Sequence, residues 1–135
     1  MASSDTSLIE RIKKDVSIWN INSFAEFFLQ IYSKYEGDYK RSALKFRQER
    51  EMFRAELESI SFLKVFDTQA NYFLCKVSGS LSAEELAEVM LARYNILIKD
   101  CSKKKGFEGK NYIRIAIRNR EDNSRLVEAF RSLCE

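Results

Sequence analysis

Hydrophobic positions along the chain switch between helical spacing and alternation, and the switches mark the elements. Leu8, Ile9, Ile12 and Val16 recur at intervals of three to four and predict a short first helix that ends before Trp19. Ser23 and Glu26 have capping-box spacing, and the stripe Phe24, Phe27, Phe28, Ile31, Tyr32 and Tyr35 predicts a second helix to about Tyr35. Gly37 reads as a turn. After it, Phe46, Phe53, Leu57 and Ile60 mark one face of a long third helix whose opposite face is the charged run RQEREMFRAELE. Phe62 to Phe66 and Tyr72 to Val77 then predict two strands joined by the loop DTQAN, with Phe73, Cys75 and Val77 alternating against Tyr72, Leu74 and Lys76. Ser82 and Glu85 form another capping box, with Leu81 and Leu86 placed as a hydrophobic staple, and open a helix ending near Arg93. ILIKD, from Ile96, predicts a strand and CSKKKGFEGK a loop. From Tyr112 to Ile117 the alternation is clean, with Ile113, Ile115 and Ile117 on one face and Arg114, Ala116 and Arg118 on the other. Asn119 is placed to cap a last helix carrying Leu126, Val127, Phe130, Leu133 and Cys134.

The resulting order, ααα ββ α ββ α, predicts an α/β fold. Each sheet and helix must bury its apolar face on another element, so the expected architecture is a two-layer sandwich of about four short strands with helices packed on one face. Strand order stays open. A chain of 135 residues is of single-domain size, and it has no proline, internal repeat or low-complexity tract to divide it. The aromatic stripe of the second helix is expected to be core. If it has lost its natural cover, self-association is expected instead.

Composition then removes function classes. Apolar residues at 45% and charged residues at 32% are ordinary globular values. No apolar run approaches the ~20 residues that span a bilayer, and the N-terminus lacks the apolar stretch of a signal peptide, so a cytoplasmic location and no membrane partner are expected. A net charge of +3 with both signs interspersed gives no reason to expect nucleic acid. Cys75, Cys101 and Cys134 are far apart and odd in number, which disfavours a disulfide framework or a metal site. Histidine is absent, and with it the commonest general base and metal ligand.

One pattern carries candidate chemistry. Arg114 falls mid-strand on the less apolar face, and Lys99 holds a matching position on the preceding strand between Leu97 and Cys101. A planar guanidinium fixed on a strand suits bidentate binding of a carboxylate, and the two cations together suit an anionic ligand. Spacing alone leaves a second reading open, in which Arg114, Lys99 and Arg118 face water on the polar side of a sheet.

Taken in order, WNIN from Trp19, FRQER from Phe46, QANYFLCKV from Gln69, ILIKDCS from Ile96 and YIRIAIRNREDNSRLVEAF from Tyr112 resemble a class I/II aminotransferase. The resemblance is to the C-terminal part of the histidinol-phosphate aminotransferase and threonine-phosphate decarboxylase group, pyridoxal-phosphate enzymes of fold type I. It covers essentially the whole chain. It implies a division into residues 1–37, helices linking to a missing large domain, and residues 38–135, the small domain. It further implies a substrate-binding role in which Arg114 forms the salt bridge to the α-carboxylate or an equivalent acid group of an amino acid or amino phosphate. Lys99 stands where the family often has an arginine, and supplies a point charge instead of a fork. Asn71 stands at the Asn of an ANF-like motif, where it also suits a turn former. The Schiff-base lysine and the phosphate-gripping residues lie outside this chain, so pyridoxal phosphate is expected in the parent enzyme and not on this chain, which is expected to be inactive alone. The partners implied are a large cofactor-binding domain of the same polypeptide and a second subunit of a homodimer. The competing reading is a ferredoxin-like binding or regulatory module whose Arg114, Arg118 and Lys99 contact RNA or a small anionic effector.

Overall fold

A computed structural model describes residues 4–15 and 21–134. Two compact units divide the chain, Met1–Ser42 and Ala43–Glu135. Among the described residues no helix is long and apolar enough to cross a membrane.

In the first unit, α1 (Thr6–Asp15) starts where Asp5 Oδ1 accepts the backbone N–H groups of Ser7 at 3.0 Å and Leu8 at 3.1 Å. The Ser7 hydroxyl, followed by the Leu8 amide, holds the Asp5 carboxyl below the usual aspartate value. Val16 and Trp19, used above to end this helix, lie outside the described residues. Helix α2 (Ser23–Glu58) is capped by Asn22, whose Oδ1 accepts the Ala25 N–H at 2.9 Å, so the capping box expected of Ser23 and Glu26 gives way to a cap one residue earlier. Gly37 is not a turn. The second and third predicted helices are one, because a glycine inside a helix costs only about 1 kcal/mol relative to alanine, whereas a break orphans four amides and four carbonyls. The ion pairs Glu36–Lys40, at 2.9 Å, and Asp38–Arg41 bracket the glycine and support continuity. Phe24, Phe27 and Phe28 are exposed, against the expectation that their stripe is core.

The second unit takes the rest of α2 and adds β1 (Leu63–Val65), β2 (Tyr72–Val77), α3 (Ala83–Tyr94), β3 (Lys99–Asp100), β4 (Tyr112–Ala116) and α4 (Arg120–Arg131). The strands form one antiparallel sheet in the order β1-β2-β4-β3. Phe73, Cys75 and Val77 from β2, and Ile113 and Ile115 from β4, are buried in one cluster with Phe53 and Leu57 of α2, Leu86 and Met90 of α3, and Leu126, Val127 and Phe130 of α4. All three helices thus contribute to the layer against one sheet face, as alternation predicts. The Ser82–Glu85 capping box is present, with Ser82 N–H to Glu85 Oε2 at 2.8 Å and Glu85 N–H to Ser82 Oγ at 3.2 Å. Asn95, left-handed at φ 54°, ends α3, and Asn119 caps α4 through the Asp122 N–H at 2.8 Å.

The strand expected over Ile96–Asp100 pairs only at Lys99 and Asp100. It is an edge strand, and Asp100 terminates it by turning its carboxylate onto the Ser102 N–H at 2.8 Å and hydroxyl at 2.7 Å. At the other end of β4, the buried Asn123 ties three segments together. Its Oδ1 accepts the Arg118 N–H at 3.0 Å, and its Nδ2 donates to Arg118 O at 3.0 Å and to Glu49 Oε1 of α2 at 2.8 Å.

Candidate functional site

With the helices on one face, the register decides what the other face carries. Side chains alternate along each strand, and Cα partners point the same way. Lys64 pairs with Lys76, and Lys76 with Tyr112; Leu74 pairs with Arg114, and Arg114 with Lys99; Tyr72 pairs with Ala116. The open face therefore carries two like-charged cross-strand pairs, Lys64–Lys76 and Lys99–Arg114, among aromatic neighbours. Like charges directly opposite each other destabilise a sheet by tenths of a kcal/mol, so nothing in the fold itself favours this arrangement. None of these four cations has an ion-pair partner among the described residues.

Arg114 is the best positioned of them. Strand β4 is central, held by β2 on one side and β3 on the other, so its backbone is fixed from both edges. The guanidinium lies 4.9 Å from the Tyr72 ring centroid, a cation–π stack that restrains the long side chain and leaves its in-plane N–H donors free to point outward. It lines a cleft of about 350 Å³ with Phe66, Tyr72, Leu74, Phe107 and Lys104. A preorganised fork at the edge of a concave, largely apolar surface is what bidentate recognition of a carboxylate requires.

The other residues singled out above fall differently. Lys99 stands opposite Arg114 in the ladder, but does not line the cleft. It lies beside Asp100; burial acts to raise that carboxyl, yet the Ser102 backbone and hydroxyl donors, aided by Lys103 and Lys99, bring it below its usual value. Asn71 is at the start of β2, exposed, with its carbonyl accepting the Ile117 N–H at 2.9 Å, and is not part of the cleft wall. Arg118 is engaged with Asp122 at 2.7 Å. Within the KKK run, Lys103 pairs with Glu84 at 2.5 Å while Lys104 reaches the cleft rim.

Sequence reasoning did not single out Phe66, Tyr72, Leu74, Phe107 or Lys104 as part of this cleft. Tyr72 was signalled, since it alternates with Leu74 on the side away from the core. Phe107 was not, because it sits in a glycine-flanked loop that only the fold returns to the sheet, where its ring meets Tyr112 edge-on at 5.2 Å.

Every described lysine is exposed, so none occupies the water-excluded setting that a Schiff-base lysine needs. The residues of this chain do not fit pyridoxal phosphate as a seat for its aldehyde. Among the described residues no cluster of three acidic or thiol side chains has metal-binding geometry.

Comparison with known proteins identifies the family. Residues 1–130 match the family described as "Aminotransferase class I and II". The chain is 31% identical over 95% of its length to CMP-5'-(3-aminopropyl)phosphonate synthase of Streptomyces rubellomurinus, of which it spans 20%. It is 32% identical over 96% of its length to a putative threonine-phosphate decarboxylase of Caldanaerobacter subterraneus, of which it spans 34%. Among solved structures it is similar to the histidinol-phosphate aminotransferase of Clostridium acetobutylicum, with a TM-score of 0.74 at 29% identity, over 97% of this chain and 39% of that one. The chain thus spans well under half the length of each relative. With sheet, helical layer and sequence in agreement, the chain belongs to the class I and II aminotransferases, pyridoxal-phosphate enzymes of fold type I, and is similar to the histidinol-phosphate aminotransferases and threonine-phosphate decarboxylases within them.

Proposed function

We propose that this chain is the substrate-binding small domain of a pyridoxal-phosphate-dependent aminotransferase or decarboxylase acting on an amino acid or amino phosphate, and that Arg114 clasps the substrate's acid group. One observation carries the reading: an unpaired guanidinium on the central strand, stacked on Tyr72 at the wall of a cleft. A cation held that way without a protein carboxylate is arranged for an anion that arrives from outside the chain. Lys99, one ladder step away, adds positive potential without a second fork. Asn71 shapes the start of β2 and takes no direct part. Residues 38–135 act as the small domain and residues 1–37 link it to the rest of the polypeptide. The cofactor and the lysine that moves protons at the substrate's Cα belong to that remainder, and two such polypeptides form the working dimer. Alone, the chain binds and orients but does not turn over substrate.

The test uses the polypeptide that carries this chain together with a pyridoxal-phosphate-binding domain. Arg114→Lys keeps the charge and loses the bidentate fork, a loss of about 1–2 kcal/mol, so KM for the amino acid should rise roughly fivefold to thirtyfold. The cofactor's absorbance should be unchanged. A KM within about twofold of the parent would sink the assignment.

A further inference from the structure

The cleft beside Arg114 has walls that a carboxylate does not need. Phe66, Tyr72 and Leu74 rise from the open sheet face and Phe107 closes on them from the loop between β3 and β4. Tyr112 lies between the two phenylalanines, with ring centroids 6.0 Å from Phe66 and 5.2 Å from Phe107. The polar groups at the rim are mostly satisfied within the fold. Asp67 is paired with Arg54, and Thr68 Oγ1 accepts the Ala70 N–H at 3.0 Å. That leaves Arg114 and Lys104 as the cations without ion-pair partners in the cleft, set against aromatic surface. A volume of about 350 Å³ is at the lower end of small-molecule sites, large enough for one ring and its acid group.

We infer that this cleft takes a flat ring attached to a carboxylate, the ring lying against Phe66 and Phe107 while the acid group meets Arg114. The inference rests on the reading of Arg114 as the carboxylate anchor, and adds the class of substrate: one whose non-reacting end is aromatic or heteroaromatic. The chemistry favours a ring over an aliphatic chain. Aromatic side chains offer electron-rich faces and positive edges to a flat partner, worth about 0.5–1.5 kcal/mol beyond the area buried. Apolar walls also strengthen the charge contact at their edge by excluding water from it.

The experiment titrates this chain, uniformly labelled with nitrogen-15, with acetate, cyclohexanecarboxylate and benzoate in turn, following backbone amide shifts. Benzoate should move the amides of Phe66, Tyr72 and Phe107 and bind about threefold to tenfold more tightly than cyclohexanecarboxylate, the factor that the aromatic contribution corresponds to. Phe107→Leu should remove that preference and leave acetate binding as it was, while Arg114→Gln should weaken all three acids. If benzoate and cyclohexanecarboxylate bind equally at these residues, the ring slot is wrong and the carboxylate anchor stands. Binding that ignores Arg114→Gln, or shifts that map elsewhere, or no binding, overturns both.

Discussion

Replacing Asn123 should cost more stability than any other single polar substitution in the second unit. The side chain is 2% exposed and makes three hydrogen bonds, two with the backbone of Arg118 and one with the Glu49 carboxylate. A neutral hydrogen bond contributes about 1 kcal/mol net and one to a charged group about 1.5–3 kcal/mol. Asn123→Ala removes all three and leaves an amide, a carbonyl and part of a carboxylate without partners, for a loss of about 4 kcal/mol. Urea unfolding followed by circular dichroism reads this directly. With a slope of about 2 kcal/mol per molar, the midpoint should fall by about 2 M. Asn123→Asp provides an internal check. Its carboxylate still accepts the Arg118 N–H, but it loses both donations and faces the Glu49 carboxylate, so its own pKa must rise on folding. A raised carboxyl pKa means that the folded state is favoured at low pH and penalised as pH climbs through that pKa. The deficit of Asn123→Asp relative to the parent chain should therefore shrink between about pH 7 and pH 4. A midpoint drop of less than about 0.5 M for Asn123→Ala, or a pH-independent deficit for Asn123→Asp, would refute the tie between α2, α4 and the end of β4.

Three further outcomes are expected. Burial pushes the Cys75 thiol up to about 12 and Cys101 is also buried, whereas Cys134 is exposed, so a thiol reagent at pH 8 should label one cysteine rapidly in the native chain and three in guanidinium; a second fast thiol would contradict the burial of Cys75 in β2 or of Cys101 after β3. Gly37→Ala should raise the helicity and amide protection of the first half of α2 by about 1 kcal/mol, since the added Cβ meets nothing nearer than Arg41 Nη1 at 3.5 Å; a loss of helicity would restore the turn. The Ser82 amide, then the Ser82 hydroxyl, lower the pKa of Glu85 below its ordinary 4.5, so the capping box stabilises the fold above that value and loses its effect as pH falls through the lowered one; Glu85→Ala should flatten the acid limb of the stability profile, and an unaltered limb would deny the box that role.

The fold was legible wherever local pattern and tertiary need coincide. Strands β2 and β4 follow from alternation because one sheet face is buried and the other is not, and α3 and α4 follow from Ser82 and Asn119, whose caps satisfy amides that nothing else would. Gly37 misled because a glycine signals a turn only when the flanking residues disfavour helix, and here Glu36, Asp38, Lys40 and Arg41 support it. The edge strand β3 came out shorter than ILIKD suggests at its N-terminal end, because the left-handed Asn95 closes α3 and the Ile96 N–H is committed to the Met90 carbonyl instead of the ladder. At the site, the sequence placed Arg114 on a strand and Lys99 opposite it. It could not supply the cleft, whose walls come from a β-strand end, a neighbouring strand and a loop more than thirty residues further on.

Arg114 and Lys99, opposite each other in the ladder, differ less in charge than in what holds them, and this bears on how the proposed binding role is shared. Arg114 is on a strand paired along both edges, and its side chain is braced by Tyr72, so its direction is set by five residues of ladder and one ring. Lys99 is on a two-residue strand paired along one edge only, with a flexible stem and, among the described residues, no aromatic ring beneath it, the cation–π contacts there being those of Lys34, Lys64 and Arg114. Orientation of a substrate demands a donor fixed in direction, whereas attraction demands only charge within a Debye length. Under the proposed binding role the fork is therefore the orienting element, and the lysine acts on affinity through its field. Enlarging Lys99 to arginine would add a second fork on an edge that cannot hold it still, which raises affinity for anions in general without sharpening the choice among them.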